Sequence, residues 1–203
     1  MGFEIYILDL LGTATFAFYG AYIGIRRKFD IFGIFITAFL TAVGGGTIRE
    51  MLVNNMPHYF TDMRYIGAII GGIMLAILLF PIFSKINKYA LIVDAVGLVT
   101  FAFLGATTAA EVGLGAFGII TLATISAVGG GLLRDIAIRE TPQIFYQDFY
   151  ASPAIFLGSL YAIAKPWIEA PFVPYAILVA AFLLRIMAIY FNIQLWGPWR
   201  KAQ

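Results

Sequence analysis

Thr41 to Glu50 reads TAVGGGTIRE, and Ser126 to Asp135 reads SAVGGGLLRD. Each stretch places three consecutive glycines behind a long apolar run, with an arginine and an acid just after them. Glycine weakens a helix by about 1 kcal/mol per residue relative to alanine. An arginine inside a bilayer costs at least about 2.5 kcal/mol on insertion scales. A chain that carries both penalties twice, in the same order, has a use for them.

The setting is a membrane. Of 203 residues, 62% are hydrophobic and only 12% charged, and the mean hydropathy is +0.92. Soluble domains carry about 25% charged residues, so this chain has too little charge to coat a globule. The apolar runs are about 20 residues long, which suits spanning helices and not barrel strands. There is no cysteine, which excludes disulfides, thiol catalysis and cysteine metal sites. No His/Asp/Glu cluster has metal-ligand spacing, His58 stands alone in a loop, and no serine sits in a nucleophile setting. The chain reads as a non-enzyme without cofactor or metal. A net charge of +2 gives no reason for a nucleic-acid partner. The start, MGFEIYILDLLG, lacks a basic n-region and carries Asp9 in its apolar run, so it reads as a retained span and not a cleaved signal.

Seven transmembrane helices are predicted: Glu4–Ile25, Ile31–Met56, Tyr65–Phe83, Tyr89–Ala110, Ala116–Thr141, Ser152–Trp167 and Phe172–Leu195. One side of this arrangement carries Arg26, Arg27, Lys28, Lys85, Lys88, Arg139, Arg200 and Lys201, whereas the other carries Arg64 and Lys165. The positive-inside rule then puts the N-terminus outside and the C-terminus in the cytoplasm. Trp196 and Trp199 stand where an interfacial aromatic anchor belongs.

Shifting the sequence by 85 positions aligns it with itself. Asp9 meets Asp94, Gly12 meets Gly97, and Thr15–Phe18 meets Thr100–Phe103. Gly44–Gly46 meets Gly129–Gly131, and Arg49 meets Arg134. From Asp9 to Tyr65, 21 of 57 positions are identical without a gap. Three helices per copy is an odd number, so the second copy enters the membrane with opposite polarity. The expected architecture is a single all-α transmembrane domain. It holds a first three-helix repeat over 4–85, an inverted repeat over 89–168 and a seventh helix over 172–195. In such proteins the functional site lies near the midplane between the copies, at helices broken in corresponding positions.

The triplets are the candidate breaks: Gly44, Gly45 and Gly46 in helix two, and Gly129, Gly130 and Gly131 in helix five. Each lies near the middle of a segment of about 26 residues, roughly 39 Å at 1.5 Å per residue. That exceeds the hydrocarbon core of about 30 Å, so a kink or tilt is expected. An unwound turn frees carbonyls for a cation and is tolerated at this depth only where it is buried or lines water. The structural alternative is that the triplets only let two helices cross tightly. Thr47–Glu50 is a candidate capping box for a second half-helix.

Arg49 and Arg134 fall about one turn past the triplets, and Asp9 and Asp94 about one turn into helices one and four. Inverted topology places Asp9 with Arg49 in the outer half and Asp94 with Arg134 in the inner half, as two charge pairs at two vestibules. The alternative pairs each arginine with the acid that follows it, Glu50 or Asp135. Thr15, Thr41, Thr100 and Ser126 offer hydroxyls at similar depths, and Phe16 and Phe101 could narrow a pore from both sides. Each has a plainer reading: register-fixing charge pairs, hydroxyls bonded to their own helix, and core phenylalanines. Arg185 in the seventh helix reads as facing protein, where it pairs or snorkels. Gly67-xxx-Gly71 with Gly72 permits close helix contact.

The doubled GGG-x-x-R-[DE], with three helices, three more and one, resembles the trimeric intracellular cation channel (TRIC) family in its bacterial and archaeal branch. The resemblance covers roughly Leu8 to Phe191. It implies a homotrimer in a prokaryotic plasma membrane, surrounded by lipid. It implies one pore per protomer between the kinked second and fifth helices, conducting monovalent cations, potassium in particular, with sodium as the other permeant candidate. Animal members carry a Lys-Glu-Val element tied to voltage and lipid regulation. This chain has no such tripeptide, so the resemblance carries neither property over. Some bacterial relatives are read as small-amino-acid transporters, which leaves a secondary transporter of glycine as the alternative.

Overall fold

The computed structural model describes residues 2–146, 149–168, 170 and 172–193. Among them are eight α-helices: α1 (Phe3–Arg26), α2 (Ile31–Leu52), α3 (Arg64–Phe83), α4 (Asn87–Glu111), α5 (Ala116–Ala137), α6 (Gln143–Tyr146), α7 (Ser152–Ala164) and α8 (Phe172–Phe191). Six of them, α1 to α5 and α8, are long and apolar enough to cross a membrane. The predicted sixth span, at 13 residues in α7, is about 20 Å long, short of a bilayer core. A 3₁₀ turn over Lys165–Trp167 extends it. Trp196 and Trp199, with Arg200 and Lys201, lie outside the described residues.

Helices two and five end earlier than the sequence suggests, at Leu52 and Ala137. The reason is local. Asn54 and Arg139 adopt left-handed φ values of 59° each, and Asn55 and Glu140 donate their N–H groups back to the carbonyls of Glu50 and Asp135. These are helix-closing motifs, placed 85 positions apart. The same holds for Lys28 and Gly113, at φ 57° and 78°. At the start of α2, Asp30 accepts from the Gly33 N–H at 2.8 Å, an N-cap that satisfies one of the free donors.

The expected breaks do not form as interruptions: α2 and α5 are helical through both triplets. Thr47 is no cap either, because its hydroxyl donates to the Val43 carbonyl one turn back. The reason lies in tertiary packing, which overrides intrinsic propensity. A Cβ on Gly45 would overlap the Ser126 carbonyl oxygen, and one on Gly130 the Thr41 carbonyl oxygen. A Cβ on Gly44 would lie 3.0 Å from Gly130 Cα, and one on Gly129 3.2 Å from Gly45 Cα. The two helices cross backbone to backbone, a contact that only glycine permits.

Small residues set the other close approaches. Gly20 faces Ala38 Cα at 2.8 Å, and Gly105 faces Ala123 Cα at the same distance, each measured from the Cβ it lacks. Gly72 seats α3 on α1 against Ala14 and Ala17, whereas Gly67 and Gly71 face open space. The core is rich in alanine: Ala17, Ala21, Ala38, Ala95, Ala102, Ala106, Ala123 and Ala127 are fully buried. With no hydrophobic drive between helices in lipid, such close packing is what holds a bundle together. The most buried long helix is α4, and α3 and α8 turn most of their apolar surface outward.

Candidate functional site

Two clusters of buried charge flank one aromatic stack. Phe16 and Phe101 lie ring on ring, with centroids 5.1 Å apart and planes 10° apart, and both are buried. Each packs where the other helix lacks a side chain: Phe16 against Gly97, Phe101 against Gly12. Asp9 and Asp94 each lie seven residues from their own phenylalanine, roughly 10 Å along the axis. Short loops make successive long helices antiparallel, so α1 and α4 run in opposite directions. The two aspartates therefore stand on opposite sides of the stack. Below, "outer" means the side of the N-terminus and "inner" the side of the Arg26–Lys28 loop.

The outer cluster surrounds a narrow cleft lined by Asp9, Thr13, Gly46, Arg49, Glu50 and Tyr65, with Phe101 at its floor. Arg49 is 4% exposed. Its Nε donates to Glu50 Oε1 at 2.7 Å, and its Nη2 lies 3.7 Å from Asp9 Oδ2. The two alternative pairings read from the sequence are both present here. The Tyr65 hydroxyl donates to Asp9 Oδ2 at 3.0 Å. Over the cleft, Pro57, His58 and Tyr59 form the rim, and the Tyr59 hydroxyl reaches Thr47 at 3.2 Å. The rim is fastened by Asp62, which takes hydrogen bonds from Arg64 at 3.0 Å and Tyr6 at 2.7 Å. Those bonds, Arg64 first, hold the Asp62 carboxyl well below the usual aspartate range.

The inner cluster departs from the expected pair. Arg134, fully buried, turns to its neighbour: Asp135 Oδ1 is 2.7 Å from Nη2 and 2.8 Å from Nε. Asp135 also accepts the Gln143 N–H at 2.9 Å. Asp94 instead faces Arg185 of α8, with Nη2 4.0 Å from Oδ2. Arg185 donates through Nη1 to the Phe149 carbonyl at 3.2 Å and lies over the Tyr150 ring at 5.1 Å. Arg134 lies over Tyr19 at 5.3 Å. Below the cluster, a cavity of about 390 Å³ opens between Tyr19, Arg26, Arg27, Asn87, Asp135, Glu140 and Gln143. The Arg27–Glu140 ion pair, at 2.5 Å, spans it.

Several buried polar atoms have no partner among the described residues: Arg49 Nη1, both Asp94 oxygens, Ser126 Oγ, Arg134 Nη1 and Arg185 Nε. Buried groups of this kind demand water or an ion. The hydroxyls divide. Thr15 donates to the Leu11 and Gly12 carbonyls of its own helix, and Thr41 to the Thr37 carbonyl. Thr100 is buried. Thr13, which the sequence reading passed over, lines the outer cleft.

The glycine transporter family model matches the chain twice, over residues 6–81 and 91–166, ranges that differ by 85 positions. The UPF0126 inner membrane protein YadS of Escherichia coli K12 is 32% identical over 195 residues, 94% of each chain. A structure that reports the basis for conductance through TRIC cation channels superimposes with a TM-score of 0.85, at 29% identity over the whole of both chains. The chain belongs to the TRIC family. The TRIC trimeric intracellular cation channel orthologue from Rhodobacter sphaeroides is also similar, with a TM-score of 0.84 and 27% identity over 95% of this chain and 100% of that one. None of these TRIC relatives is described as an enzyme.

Tyr65, Tyr150 and Arg185 were missing from the expected site. Tyr65 and Tyr150 had a signal: they are identical in the shifted alignment, each 56 residues after its aspartate. Arg185 had no repeat signal, because α8 lies outside the repeat; its mark was a lone arginine within an apolar span.

Proposed function

We propose that the chain is a cation channel with its own path in each protomer of a homotrimer. The observation that carries this reading is the Phe16–Phe101 stack between two buried, charged and incompletely hydrogen-bonded clusters. The likeness to structures of TRIC cation channels supports it. The stack is the closed constriction, and the two aspartates attract cations from either side. The glycine crossing of α2 and α5 leaves no room for an ion between their backbones at that point. The path therefore passes beside it, along the α1 and α4 face where the outer cleft lies. The fold is two inverted three-helix repeats plus α8, seven spans with the short α7 counted. Potassium is the preferred ion, and the N-terminus faces outward. Purified protein in planar bilayers under a KCl gradient tests this: discrete steps reversing near the potassium potential are expected.

A second reading has its own observation. Unpartnered guanidinium nitrogens on Arg49 and Arg134 suit a carboxylate, and the aspartates suit an ammonium. With the family's description as glycine transporter, this supports transport of a small zwitterion. A silent bilayer together with saturable glycine uptake into liposomes would replace the channel by this transporter.

A further inference from the structure

We propose that Asp94 is a monovalent-cation site in the inner half, and that the Arg185 guanidinium is its built-in occupant, which a passing ion must displace. The inference rests on the channel reading for the word "passing"; the site itself stands on geometry.

Asp94 is fully buried, and neither carboxylate oxygen has a well-formed hydrogen bond among the described residues, although the Tyr150 hydroxyl, the repeat counterpart of Tyr65, stands beside it. A buried carboxylate in this state is met by a cation, by water or by a proton, and a cation compensates its charge outright. The cation at hand is Arg185, 1% exposed, yet its Nη2 stops 4.0 Å from Oδ2. That distance gives attraction without a directed hydrogen bond. Among the described residues, Nε and Nη2 of Arg185 have no hydrogen-bond partner, and Nη1 alone donates, to the Phe149 carbonyl. The contact is close enough to neutralise the carboxylate and loose enough to be exchanged.

The other charges of the cluster do not compete. Arg134 is neutralised by Asp135 at 2.7 Å, and Tyr19 and Tyr150 present rings to the two guanidinium groups. Asp94 and Arg185 are left as the pair that compensate each other. Without Arg185 the site carries one net negative charge from one carboxylate. Divalent ions take several carboxylates or a dense oxygen shell, so a single carboxylate beside neutral groups suits a monovalent ion.

The outer half shows what the symmetric arrangement looks like. Asp9, the repeat partner of Asp94, accepts from Tyr65 and faces Arg49 directly. Among the described residues no second buried arginine reaches it, because α8 has no counterpart in the first repeat. The inner half therefore carries a second buried guanidinium that the outer half lacks, and current should depend on direction.

The test reads potassium binding apart from conduction. Purified protein is melted in detergent while KCl replaces choline chloride at constant ionic strength. Arg185→Gln should be stabilised by potassium at concentrations about tenfold or more below those affecting the parent, and Asp94→Asn/Arg185→Gln should lose the response. Arg185→His is a second variant: the response should be present at about pH 8.5 and suppressed at about pH 5.5, where imidazole is charged. In bilayers, Arg185→Gln should lose the parent's rectification. A folded Arg185→Gln with the parent's potassium dependence, or a folded Arg185→His without a pH effect, overturns the proposal. A silent parent alongside the expected melting shifts would remove the channel reading and leave the site.

Discussion

Gly45 and Gly46 are adjacent, yet the structure assigns them opposite responses to one added methyl group. A Cβ on Gly45 would overlap the Ser126 carbonyl oxygen and lie 3.1 Å from its carbon. Both atoms are backbone, so no side chain can turn away and the two helices must separate. Overpacking of this kind costs about 1–3 kcal/mol, against a gain of about 1 kcal/mol in helix propensity. At Gly46 the nearest atom is Phe101 Cε1 at 3.4 Å, an ordinary contact, and the propensity gain stands alone. At about 2–4 °C per kcal/mol for a chain of this size, Gly45→Ala should melt several degrees below the parent and Gly46→Ala level with it or above. Gly130→Ala should follow Gly45, since its Cβ meets Thr41. Fluorescence-detected melting in detergent decides the matter. A Gly45→Ala protein as stable as the parent would refute the backbone-contact account of the triplets, and Gly46→Ala falling furthest would refute the geometry.

If the phenylalanine stack is the constriction, Phe16→Ser and Phe101→Ser should raise open probability in bilayers; unchanged gating would move the constriction elsewhere. Arg49→Ala strands Glu50 and Asp9 as buried carboxylates, a loss of about 3–5 kcal/mol, and Glu50→Gln in that background should recover part of it, as read by melting. Asp30→Ala removes the α2 cap and should cost about 1 kcal/mol, visible as a shift of a few degrees. Asp62 has its carboxyl held low by Arg64 and Tyr6. Its contribution is therefore complete above the ordinary aspartate pKa and fades only as pH falls through the lower, folded value. An NMR titration of its carboxyl carbon with a midpoint at or above the ordinary aspartate value would contradict that arrangement.

Much of this was legible in the sequence because it is written twice. A feature present at both Asp9 and Asp94, or at Gly44–Gly46 and Gly129–Gly131, announces itself by recurrence, whatever its physical role. The role was harder to read. A glycine run lowers helix propensity, so a break was the natural expectation, but propensity does not know that Ser126 and Thr41 carbonyls lie against those glycines. The outer pairing was anticipated in both its forms. In the inner half the Arg134–Asp135 pair was one of the two alternatives, whereas the Asp94–Arg185 contact was not anticipated, because Arg185 enters from outside the repeat, where no second copy points to it. The Asn54 and Arg139 closures shortened α2 and α5 for a related reason: a left-handed arginine has no compositional mark, whereas Gly113 does.

The crossing at Gly45 and Gly130 also limits how the molecule can move. Advancing α2 along α5 by two residues would drive Val43 or Thr47 into the place of Gly45, against a backbone that has room only for hydrogen. The two helices are thus keyed in register, like a lock joint with a single notch on each bar. They are free to rock about that notch and barred from sliding past it.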